Sequence, residues 1–93
     1  MKLIWKYILK ITDEQTIKVP YGAKYFMTPL VQDGKPCIWY TFNAENKDNL
    51  VEKKIRIVGT GHEYDGFGLE RVGSVIIGPM VWHVFSVRAC RDE

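Results

Sequence analysis

The chain is poor in the residue types that announce a chemistry. It has two cysteines in 93 residues, Cys37 and Cys90, and they do not form a CxxC pair. Neither a disulfide framework nor a thiolate metal site is expected, and both thiols read as reduced. The two histidines, His62 and His83, lack HxxH spacing, so no metal is assigned. Charge of one sign is scarce too: 13 Lys and Arg stand against 11 Asp and Glu, for a net charge of +2. That balance argues against duplex nucleic acid as a partner, because such binders concentrate positive charge on one face. Lysines interrupt the first apolar run, Met1–Tyr7. It reads as neither a leader nor a membrane span, and the expected compartment is the cytoplasm. No segment keeps a 3.6-residue apolar period over three turns, so little helix is expected. The GxxxxGK[ST] phosphate loop and the nucleophile elbow are both missing. Without them the chain reads as a non-enzyme that needs no cofactor.

What the chain has is apolar surface in period two. Hydrophobic residues make up 46% and aromatics 13%, enough to offset chain entropy and fold residues 1–93 as one domain. Leu3, Trp5, Tyr7, Leu9 and Ile11 alternate with Lys2, Ile4, Lys6, Ile8 and Lys10, which is the pattern of a strand. Alternation resumes at Gln15–Pro20 after the polar Thr12-Asp13-Glu14, so these two runs are expected to pair as a hairpin. Asp33-Gly34 separates two further strands, Ala23–Gln32 and Lys35–Asn43. That dipeptide is a strong hairpin signal, because a type I′ turn needs positive φ at both central residues. Both strands are apolar on both faces, through Tyr25, Met27 and Val31 against Phe26 and Leu30, and Cys37 and Trp39 against Ile38, Tyr40 and Phe42. Such a hairpin needs a second cover beside the core, supplied by another part of the chain or by another copy of it. Val51–Val58, Leu69–Ile77 with a bulge at Gly73, and Val81–Ala89 complete the strands, with a hydrophilic loop at Ala44–Leu50 and a turn at Gly78-Pro79. The predicted fold is mainly β: a single small antiparallel barrel or sandwich of about six or seven strands, with little helix.

The only concentration of small, donor-rich and titratable residues follows Val51–Val58. Lys54 and Arg56 face away from Ile55 and Ile57, and the strand runs into Gly59-Thr60-Gly61-His62 with Tyr64 close behind. Glycines let backbone N–H groups converge on an anion, Thr60 adds a hydroxyl, and His62 adds a donor that charges near neutral pH. The same loop also reads as a tight strand exit that needs positive φ. In the ligand reading, Lys54, Arg56, Gly59, Thr60, Gly61 and His62 hold a phosphorylated small molecule and Tyr64 stacks its base. His83, between Trp82 and Val84, reads as a packed histidine whose ring nitrogens meet backbone groups.

The series Ile4-Trp5-Lys6-Tyr7, Gln15–Pro20, Gly22-Ala23-Lys24, Gln32–Trp39, Ile57–His62 and Val81–Phe85 resembles a family of small uncharacterised phage- and prophage-encoded proteins. The likeness spans nearly the whole chain and departs at Val75–Met80, where Ile-Ile-Gly-Pro-Met replaces a more glycine-rich connection. The resemblance implies a compact domain of phage origin acting in the host cytoplasm, and it carries no catalytic assignment. Small accessory proteins of that kind often occlude a host protein or sequester a small molecule, and some that counter host defence are homo-oligomers that bind cyclic nucleotide signals. Both readings are carried forward.

Overall fold

The computed structural model describes residues 1–88. They form β1 (Lys2–Ile8), β2 (Glu14–Pro20), β3 (Lys24–Tyr25), β4 (Leu30–Gln32), β5 (Lys35–Asn43), β6 (Leu50–Gly59), β7 (Leu69–Ile77) and β8 (Met80–Val87), with one 3-10 turn at Ala44–Asn46. All pairings are antiparallel. In the first sheet β5 is central, with β1 on one side and β3 and β4 on the other. The second sheet runs β2-β6-β8-β7. The mainly β expectation holds, as two four-stranded sheets and not as a closed barrel. Leu9, Ile38 and Tyr40 meet Val19, Ile55, Ile57 and Val84 in one core, so the two sheets share a single apolar interior.

The Asp33-Gly34 turn forms as expected, with φ of 52° and 74°, and joins β4 to β5. The bulge near Gly73 and the Gly78-Pro79 turn are also present. Two expectations fail. The run Ala23–Gln32 is not one strand: β3 and β4 are separated by Phe26–Pro29, because Pro29 cannot donate to a ladder, and this raises the count to eight. Nor do β1 and β2 form a hairpin. β1 pairs with β5, and β2 pairs with β6 in the other sheet. The chain turns the corner between sheets at Leu9–Asp13. There the Gln15 side chain accepts from the Lys10 N–H (3.0 Å) and donates to the Lys10 carbonyl (2.6 Å), satisfying backbone groups that a hairpin would have paired. The end of the strand predicted over Val81–Ala89, and Cys90 with it, lie outside the described residues. Cys37 is a buried free thiol.

Candidate functional site

Residues directly opposite in an antiparallel ladder share a face, so the pairing registers define what each face displays. On the outer face of the second sheet, Glu14 lies opposite Arg56, Arg56 opposite Phe85, and Phe85 opposite Arg71. Four strands thus contribute one row in which an aromatic ring stands between two arginines. Tyr64 folds back from the 60–68 loop onto Phe85, with ring centroids 5.1 Å apart and planes tilted by 32°. An Asx turn shapes that loop, Asp65 Oδ1 accepting from the Phe67 N–H at 2.9 Å. Tyr64 is 48% exposed, with Gly66 close to its ring at Cε2. Lys54 belongs to the same face and makes an exposed 3.5 Å ion pair with Glu14. Arg56 donates through Nε to the Asp13 carbonyl at 3.2 Å, which aims its fork while leaving the terminal nitrogens to other partners.

The adjacent row holds Val58, His83 and Ser74. His83 meets hydroxyls on both sides and not backbone, contrary to expectation: Ser74 Oγ is 2.7 Å from Nδ1 and Thr60 Oγ1 is 2.8 Å from Nε2. Thr60 Oγ1 also donates to the Val81 carbonyl at 3.3 Å. With that proton committed, Nε2–H donates to Thr60, and the Ser74 hydroxyl is the partner of Nδ1. A catalytic triad places a carboxylate on Nδ1, where Ser74 stands. Here the chain of hydroxyl, imidazole and hydroxyl fastens β7, β8 and the exit of β6 together.

The structure does not bring the whole predicted set together. Lys54, Arg56, Thr60 and Tyr64 share the outer face, but His62 turns to the opposite one. It packs at 6.3 Å from the Trp82 ring, over Gly59. A Cβ on Gly59 would meet His62 Nδ1 and Trp82 Cζ3 at 3.0 Å, so glycine at this position makes room for the imidazole. The Thr60 N–H goes to the Val81 carbonyl and the His62 N–H to the Gly59 carbonyl, and Gly61 takes φ of 91°. These bonds are those of a tight strand exit. A concavity of about 660 Å³ opens elsewhere, beside Val19, Tyr21, Val51, Lys53 and Arg88, and reaches the predicted set only at Lys54.

A protein-family model matches residues 1–92. The chain belongs to the DUF7352 family, a domain of unknown function. No curated protein and no solved structure matches it. DUF7352 carries no assigned activity, so the reading of this member rests on its own geometry. Sequence reasoning missed Arg71, Ser74 and Phe85 and misassigned the partners of His83. Alternation along β8 held the one usable signal: Phe85 and His83 share a parity opposite to that of Trp82 and Val84.

Proposed function

We propose that this DUF7352 protein is a non-catalytic binding module for a phosphorylated, base-bearing small molecule such as a nucleotide or cyclic nucleotide signal. One observation carries the reading: Arg56 and Arg71 bracket the Tyr64–Phe85 stack on an open sheet face. Guanidinium forks match phosphate oxygens, and an exposed aromatic ring accepts a base. In this arrangement Lys54, Arg56 and Arg71 supply the charge, Tyr64 supplies the stacking surface, and Gly59, Thr60, Gly61 and His62 set the loop that delivers Tyr64.

The wider role, a phage-type accessory protein that sequesters such a signal in the host cytoplasm, is supported by the sequence resemblance. Self-association belongs to the proposal. β7 is a nine-residue edge strand with Ile76 69% exposed, and its unpaired backbone groups offer a template for a second copy. Occlusion of a host protein is the second reading, favoured by Ile4, Ile8, Phe26 and Leu30, all exposed on the outer face of the first sheet.

A thermal-shift screen across mono-, di- and cyclic nucleotides tests the main reading. A ligand at a hundredfold its dissociation constant adds about 2.7 kcal/mol of stability. A panel that leaves the melting temperature unmoved at millimolar concentration removes it.

A further inference from the structure

The outer face of the first sheet differs in kind from that of the second. Its rows, read from the ladder, are Lys2 with Asn43, then Ile4 with Thr41 and Lys24, then Lys6 with Trp39, then Ile8 with Cys37 and Leu30, then Gln32 with Lys35. Phe26 joins the Lys6–Trp39 row, because its N–H bonds the Trp39 carbonyl at 3.0 Å. No row contains a carboxylate. None of the four lysines is in an ion pair among the described residues, whereas on the other sheet Lys54 is held by Glu14.

Among the described residues Tyr21, Phe26, Trp39 and Phe67 have no aromatic ring packed against them, and of these four Phe26 and Trp39 stand on this face. Phe26 is 54% exposed, and Trp39 lies half-buried beside it. Lys6 stands in the middle row, on the edge strand β1, and reaches across β5 to donate to Gln32 Oε1 at 2.9 Å, which leaves it two further donors.

We infer that this face binds single-stranded nucleic acid. Two unpartnered rings in one row accept bases, and unpaired lysines in four of the five rows, which span about 27 Å at ~6.8 Å per row, meet the backbone. Charge complementarity selects a polyanion. A second copy seated face to face would set these lysines against its own, with no carboxylate in any row to pair them. An anionic lipid surface is distinguished by the vesicle arm of the test. A concavity of about 300 Å³ opens beside Lys2, Lys24, Thr41 and Asn43, at the end of the face where two of the lysines lie. This inference is independent of the nucleotide reading, which concerns the opposite face.

The test is fluorescence anisotropy of labelled oligo(dT) and oligo(U) of about a dozen nucleotides, with a duplex of equal length as competitor. Binding is expected at low salt, weakening with a log–log slope of about 2–3 if the lysines each meet a phosphate. Phe26→Leu keeps the apolar surface but loses the ring, and should weaken binding about tenfold. Lys24→Gln and Lys35→Gln together should flatten the salt slope, and Lys18→Gln, on the other sheet, should leave it unchanged. Circular dichroism and melting temperature confirm that these exposed-site variants fold. The inference is overturned if single strands fail to bind at low salt or if the duplex binds as tightly. It is equally overturned if Phe26→Leu binds like the parent, if Lys18→Gln flattens the slope as much, or if phosphatidylglycerol vesicles bind while oligonucleotides do not.

Discussion

Gly73→Ala should destabilise the protein although nothing in the glycine's own backbone requires glycine. Gly73 does not have positive φ, and elsewhere such a change in a strand gains ~0.4–1 kcal/mol by restricting the unfolded chain. Here an added Cβ would lie 2.6 Å from Pro29 Cδ and 3.2 Å from Pro29 Cγ. Ordinary carbon contacts lie at ~3.5–4.0 Å, so about 1 Å must be found. The pyrrolidine ring cannot rotate away and Pro29 is fully buried, so the backbone of β7 or of the Phe26–Pro29 crossing has to move. Overpacking of this kind costs ~1–3 kcal/mol. In a domain of this size each kcal/mol is worth about 4–8 °C in melting temperature. Thermal denaturation of Gly73→Ala, Pro29→Ala and the double variant isolates the contact, because the Gly73→Ala penalty should shrink by ~1 kcal/mol or more once the ring is gone. A Gly73→Ala protein that melts higher than the parent, or whose penalty ignores Pro29, refutes the reasoning.

Removing one hydroxyl from the His83 chain, Ser74→Ala, should cost ~0.5–1.5 kcal/mol, and nitrogen NMR of the parent should find a proton on Nε2; a ring protonated on Nδ1 alone contradicts the assigned network. Burial raises the ionisation of Tyr7, Tyr25 and Tyr40 above their ordinary 10.0. The unfolded chain therefore loses these protons first, so stability is complete below pH ~10 and falls as pH rises beyond it, by up to ~1.4 kcal/mol per pH unit for each tyrosine. Tyrosinate absorbance should appear together with loss of the sheet signal, and early titration of all five tyrosines in the folded protein would count against it. Ile76→Lys should shift the parent toward monomer in light scattering; a strictly monomeric parent at high micromolar concentration ends the case for association through β7.

Local chemistry was legible where it is local. Asp33-Gly34 announced its turn because positive φ at two adjacent residues is a property of those two residues. Lys54 and Arg56 were correctly turned outward because alternation along β6 needs no knowledge of neighbours. Pairing was not legible in the same way. β1 and β2 are adjacent in sequence, but each finds its partner about thirty or more residues away, where β5 and β6 make the same crossing between sheets. The arginine-flanked stack has the same origin. Arg56, Tyr64, Arg71 and Phe85 come from two strands, a loop and a third strand, and only the order β6-β8-β7 brings them together. Ser86 inverts the usual reading of β8, since this polar residue is buried at 1% exposure while Phe85 faces outward.

Calorimetric titration of the most stabilising nucleotide from the screen into the parent, Arg56→Ala, Arg71→Ala and Lys53→Ala proteins separates the outer face from the cleft at Lys53. Binding between the two arginines predicts a loss of ~1.5–3 kcal/mol, roughly ten- to a hundredfold or more in Kd, for each arginine variant and none for Lys53→Ala. Arg56→Ala and Arg71→Ala proteins that bind as tightly as the parent, with Lys53→Ala impaired, would contradict it and move the site into the cleft.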